Sequence, residues 1–127
     1  MTFLDSDVLI EVERATPKAR AWILSDHSLA AAVPAAVALE LVVGARNQQE
    51  IARSQKFLQS FDVVPFHEGD FETAFSLVVQ YRLTTGLSLP YFLIAAQALN
   101  RSATLYTFNL RHFSTITNLD ARAPYDR

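Results

Sequence analysis

The side chains that could do chemistry in this chain offer oxygen. Asp5-Ser6-Asp7 directly precedes the apolar run Val8-Leu9-Ile10, Glu40 interrupts the apolar segment 35–43, and Asn109 follows Thr107-Phe108. Carboxylate and amide oxygens are the ligands that Mg²⁺ and Mn²⁺ prefer. Clustered carboxylates repel one another unless a cation neutralises them. A cation so held orients and activates water and stabilises charge on a phosphoryl group. Each residue also has a plainer reading. Asp5 and Asn109 are of the types favoured as helix N-caps. Glu40 has only Ala36, Val37, Val43 and Gly44 three and four positions away, so it has no ion-pair partner along its own helix. It either marks the solvent edge of an amphipathic helix or is buried and needs a partner from elsewhere.

Rival chemistries lack their residues. The chain has no cysteine, which excludes thiolate metal sites, disulfides and cysteine nucleophiles. No Walker-type loop, dinucleotide glycine fingerprint or Ser-His-Asp motif occurs. His27, His67 and His112 lack the spacing of metal ligands.

The elements that must position these oxygens follow from the hydrophobic pattern. Short apolar runs at Phe3-Leu4, Leu29 to Val33, Val63-Val64 and Thr104 to Phe108 read as strands, with a weak last strand over 121–125. Between them lie helical stretches: Val8 to Ala15; a segment begun by Pro17 that ends near Asp26-His27; Pro34 to Gly44; Gln48 to Ser60; Phe71 to Leu83, closed by Gly86; and Leu93 to Leu99. Trp22, Phe57, Phe61, Phe71 and Phe75 are expected in the core. Strands separated by helices predict an α/β fold with a mainly parallel sheet between helical layers. Ligands of such sheets lie beyond the carboxyl ends of the strands, which here means just after Leu4, Val33 and Phe108.

The 127 residues fit a single domain, residues 1–127, and 50% are hydrophobic, enough to drive folding. Eleven basic and 13 acidic residues give a formal charge of -2, so any nucleic-acid contact must come from a local patch. Arg46, Arg53 and Lys56 are candidates for phosphate contacts, and equally a solvated helix face. Tyr81 and Tyr91 are read as packing residues first, with base stacking as the alternative. The N-terminus lacks the basic, apolar pattern of a secretory signal, and no window of ~18 uncharged apolar residues is present. The expected location is cytoplasmic, with no membrane contact.

The motifs together resemble the PIN-domain proteins of the VapC toxin type. Those proteins open with Leu-Asp-(Thr/Ser)-Asn-Val-Leu-Ile, and this chain reads Leu4-Asp5-Ser6-Asp7-Val8-Leu9-Ile10. Their Glu-Leu-x-x-Gly is matched by Glu40-Leu41-Val42-Val43-Gly44. Their Pro-Asp-x-Leu-Ile-Ala-Ala-x-Ala-Leu corresponds to Pro90 through Leu99, and their Thr-x-(Asn/Asp)-x-x-x-Phe to Thr107 through Phe113. The resemblance implies a three-layer α/β/α domain with a central, mainly parallel sheet. It implies a Mg²⁺- or Mn²⁺-dependent endoribonuclease acting on single-stranded or structured RNA, the toxin of a type II toxin-antitoxin system. It also implies a cognate VapB-type antitoxin and a homodimer. By position, Asp5, Glu40 and Asn109 would be catalytic and metal-holding, with Ser6 and Thr107 in support. Three departures are visible, one of them His112, which stands where the last motif often carries an Asp just before its Phe. Tyr91 stands where the family has an acid, and a phenol with an ordinary pKa of ~10 is a poor Mg²⁺ ligand near neutral pH. Asp7 replaces the usual Asn and either offsets the lost charge or caps the first helix. The resemblance therefore implies a weakened nuclease, with a catalytically impaired domain that binds antitoxin or RNA as the alternative.

Overall fold

A computed structural model describes residues 1–25 and 30–127. Five short strands, β1 (Thr2–Leu4), β2 (Ala31–Pro34), β3 (Asp62–Val64), β4 (Thr104–Tyr106) and β5 (Asp120–Arg122), form one sheet in the order β3-β2-β1-β4-β5. Every neighbouring pair is parallel. The inner strands are apolar because helices cover the sheet: Phe3, Leu4, Val33 and Leu105 are fully buried. The chain leaves β1 towards β2 and β3 on one side and returns to β4 on the other. The order therefore reverses between β1 and β4, where a crevice opens at the carboxyl ends of the strands.

Among the described residues, seven helices connect the strands: α1 (Ser6–Arg14), α2 (Pro17–Ile23), α3 (Ala35–Val43), α4 (Gln48–Leu58), α5 (Glu68–Thr85), α6 (Leu89–Asn100) and α7 (Leu110–Phe113). Their starts follow local chemistry. Asp5 caps α1 by accepting from the Ser6 N–H, Thr16 caps α2 ahead of Pro17, and His67 and Asp70 form a reciprocal capping box on α5. Helix α3 begins at Pro34, which cannot cap it with a side chain. Gln97 of α6 takes that role: its Oε1 accepts from the Ala36 N–H at 2.9 Å, and its Nε2 donates to the Val64 carbonyl at 3.1 Å. Gln97 is fully buried; its bond to Ala36 is buried and its bond to Val64 part-buried.

Several expectations need correction. The fourth strand stops at Tyr106, not Phe108. The Thr107 N–H still bonds the Arg122 carbonyl at 2.9 Å while its hydroxyl turns to Asp5, and the Phe108 N–H goes to the Asp7 carboxylate at 3.1 Å, where a side chain takes over from the ladder. Pro34 closes β2 instead of opening the helix as its first turn. Helices α5 and α6 start three and four residues before Phe71 and Leu93, respectively, because His67 and Ser88 are their N-caps. Phe71 and Phe75 are not core: they are 72% and 60% exposed. Helix α5 has apolar residues on two faces and buries the one carrying Ala74 and Leu77 against α6. Trp22 is buried, and Phe57 and Phe61 pack half-buried against the main core. Leu29, His27 and the expected end of the second helix at Asp26-His27 lie outside the described residues. Among the described residues no helix is long and apolar enough to cross a membrane.

Candidate active site

The first segment reaches the crevice because β1 is the central strand. Asp5 follows its last residue, and the Asp5 N–H still bonds the Tyr106 carbonyl of β4 at 3.0 Å. Its side chain is buried, 5% exposed, and both oxygens are engaged: Oδ1 accepts from the Ser6 N–H at 2.7 Å and Oδ2 from the Thr107 hydroxyl at 2.7 Å. Asp5 is thus both a helix cap and a carboxylate facing the crevice; the two readings were not exclusive.

Glu40 lies in the second turn of α3 and is half-buried. Its partner comes from another element: the Ser6 hydroxyl donates to Oε1 at 2.6 Å. Ser6 therefore touches two carboxylates, Asp5 through its N–H and Glu40 through its hydroxyl. Asn109 stands at the N-cap position of α7 but makes no side-chain cap there, which overturns capping as the role of its side chain. Its N–H donates to the Thr107 hydroxyl oxygen at 2.9 Å, and its Nδ2 donates to the Tyr91 hydroxyl at 2.7 Å. Asp7 accepts from the Phe108 N–H, tying α1 to the loop after β4, while its Oδ1 is buried with no hydrogen-bond partner.

Asp5, Ser6, Asp7, Glu40, Tyr91 and Asn109 border one cavity of about 120 Å³, closed on its apolar side by Ile94 and Phe113. The structure brings these six predicted positions to one place, and Thr107 supports it from beneath through Asp5. Ile94 and Phe113 escaped the sequence reading because an apolar residue in an apolar run gives no sign of facing a polar cavity. Arg46 is engaged with Glu50 at 2.8 Å, whereas Arg53 and Lys56 are exposed on α4.

Burial dominates the electrostatics of the two aspartates. Burial, and then the neighbouring Asp7, push the Asp5 carboxyl up to about 7, against the lowering effect of its bonds from Thr107 and Ser6. Burial likewise raises Asp7, opposed by the Phe108 N–H. A raised carboxylate, an orphaned buried carboxylate oxygen and an all-oxygen donor set fit a hard divalent cation in their chemistry. Among the described residues no three His, Cys, Asp or Glu side chains are grouped as a ready-made metal cluster. A cation here would draw on Asp5, Glu40 and the Asn109 amide and retain waters, as Mg²⁺ commonly does. Tyr91 adds no charge. Its ring packs edge-on against His112 and Phe113, each at 5.2 Å between centroids, and its hydroxyl lies 3.2 Å from His112 Nδ1.

The model of the PIN domain family matches residues 2–118. Among solved structures, the DNA-bound VapBC of Salmonella typhimurium is similar at 18% identity with a TM-score of 0.82, covering 98% of this chain and 100% of that one. VapBC2 of Rickettsia felis bound to a promoter DNA fragment is similar at 20% identity and TM-score 0.79, over 98% of both chains. A toxin-antitoxin complex from Klebsiella pneumoniae is similar at 22% identity and TM-score 0.72, over the full length of both chains. No curated protein matches the sequence.

Proposed function

The chain belongs to the PIN domain family, and from that premise we propose that it is a metal-dependent endoribonuclease, the toxin of a type II toxin-antitoxin system, weakened by Tyr91. One observation supports this above others: Asp5, Glu40 and Asn109, from three distant segments, border a single cavity at the carboxyl end of the sheet. Mg²⁺ or Mn²⁺ held by these three residues would neutralise the carboxylates, activate water and stabilise charge on the scissile phosphate. The chain's own residues prepare the place. Thr107 and the Ser6 N–H fix the Asp5 carboxylate, the Ser6 hydroxyl holds Glu40 beside it, and Asp7 locks the Asn109 loop onto α1 through Phe108. Ile94 and Phe113 keep one wall dry, which strengthens every charge interaction within.

The substrate class in this proposal is single-stranded or structured RNA. The partner is a VapB-type antitoxin, as in the VapBC complexes that share the fold. The assembly is a homodimer of a single PIN-like domain acting in the cytoplasm. A second reading, an impaired domain that binds antitoxin or RNA without cutting, is favoured by Tyr91 alone, which borders the cavity with a neutral phenol where the family has an acid.

The test is cleavage of labelled RNA with added Mg²⁺ or Mn²⁺. Asp5→Ala is expected to lower the rate about 10²–10³-fold, the scale on which loss of a positioned site group acts, and Tyr91→Asp is expected to raise it. Cleavage unchanged by Asp5→Ala removes the assigned site. Cleavage appearing only in Tyr91→Asp replaces the nuclease reading with the binding one.

A further inference from the structure

Tyr91 stands in the place of an acid, but its hydroxyl is engaged on both sides. It accepts from Asn109 Nδ2 at 2.7 Å and lies 3.2 Å from His112 Nδ1. A phenol has one proton to give. With its oxygen taking the Asn109 N–H, that proton completes the chain when it points to His112, which requires an unprotonated Nδ1. The contacts form a polar chain with one direction, from the Asn109 amide through Tyr91 to the imidazole.

We propose that Tyr91 is a positioning residue that sets the polarity of the Asn109 side chain for a cation; this rests on the metal-dependent reading above. A side-chain amide has an acceptor end and a donor end, and only the acceptor end can ligate a cation. Tyr91 engages the donor end, which leaves Oδ1 as the end without a part in that bond, in a residue bordering the cavity with Asp5 and Glu40. Asn109 is held by its backbone as well, since its N–H is bonded to Thr107. The rotation about its amide is then the remaining freedom, and the Tyr91–His112 pair fixes it. The reversed chain, with His112 Nδ1–H donating to Tyr91 and Tyr91 donating to Asn109 Oδ1, would present the NH₂ group to the cation and is the opposite outcome. The Tyr91 ring is itself fixed by edge-on contacts with His112 and Phe113, so the hydroxyl does not depend on its hydrogen bonds for its place.

The chain thus exchanges a charge for an orientation, a role in which partners behind a ligand carry about 10–100-fold in metal affinity. The experiment uses the full chain and its Tyr91→Phe variant, which keeps the ring contacts and removes one oxygen. Nitrogen-15 NMR of the His112 ring, at a pH where it is neutral, reads the direction of the chain, and Mn²⁺ binding is titrated by electron paramagnetic resonance. The expected result is His112 protonated on Nε2 in the wild type, with Mn²⁺ binding about tenfold weaker or more in Tyr91→Phe. A proton on Nδ1, or equal Mn²⁺ affinity in the two proteins, overturns the proposal. If the two proteins bind Mn²⁺ equally and cut RNA equally, only this proposal falls and the nuclease reading stands. If the wild type binds no Mn²⁺ although the hydrogen-bond chain is intact, the metal-dependent reading falls with it.

Discussion

At the scale of single residues, the account turns on Asp5. The buried carboxyl is raised from 3.8 to about 7 by burial first and by Asp7 next. A carboxyl raised in the folded state favours folding when protonated. Its contribution is complete below pH about 4 and is lost as pH rises through about 7. Metal-free protein is therefore expected to lose thermal stability across that window, and Asp5→Asn to flatten the loss. Added Mn²⁺ should restore stability at the upper end, since a ligand of the folded state stabilises it. Melting curves between pH 4 and 8 with a chelator or with Mn²⁺ check this; a flat wild-type profile contradicts it. Much at this scale was legible in sequence, because Asp5, Glu40 and Asn109 are polar residues placed where a parallel sheet keeps its ligands. The roles of Asp7 and Asn109 were not. Both looked like caps, and a cap and a cavity-facing side chain are identical in sequence; only the bonds to Phe108 and Tyr91 separate them.

At the scale of elements, α3 shows how a site is held by residues that do not border it. Pro34, the N-cap of this helix, has no side chain to cap it, so the Ala36 N–H depends on Gln97 from α6. Glu40 rides on the same helix. Gln97→Leu keeps the volume but leaves the buried Ala36 N–H and the part-buried Val64 carbonyl without that partner. A cost of about 1–3 kcal/mol for each orphaned group is expected in urea unfolding, with a fall in cleavage rate as α3 loosens under Glu40. A variant as stable as the wild type would dismiss this role. Gln97 was invisible in sequence, a lone amide in Ala95-Ala96-Gln97-Ala98 whose partners lie 61 and 33 positions away. The helices themselves were legible from periodicity, except at their ends. Phe71 and Phe75 misled because an apolar stripe at four-residue spacing announces burial without saying against what.

At the scale of the whole molecule, that stripe has a consequence for assembly. Phe71, Phe75, Val79 and Leu83 follow one another at four-residue steps along α5 and are 72%, 60%, 72% and 96% exposed. An apolar run of this length on a surface marks an interaction face, and the proposed homodimer gives it an occupant. Light scattering is expected to report twice the chain mass for the wild type and a monomer for the Phe75→Glu, Val79→Glu double variant; a monomeric wild type contradicts the dimer. The alternation of helices and strands made the parallel sheet and its layers readable in advance, whereas the strand order that sets β4 beside β1 is seen only in the pairing. The central claim is a property of this whole arrangement: three segments more than 30 residues apart meet around one cation. The most direct measurement is anomalous diffraction at the manganese edge from crystals of the wild-type protein grown with Mn²⁺. The account predicts a peak in the cavity bordered by Asp5, Glu40 and Asn109. A difference map with no manganese there, or with manganese bound only elsewhere on the protein, contradicts it.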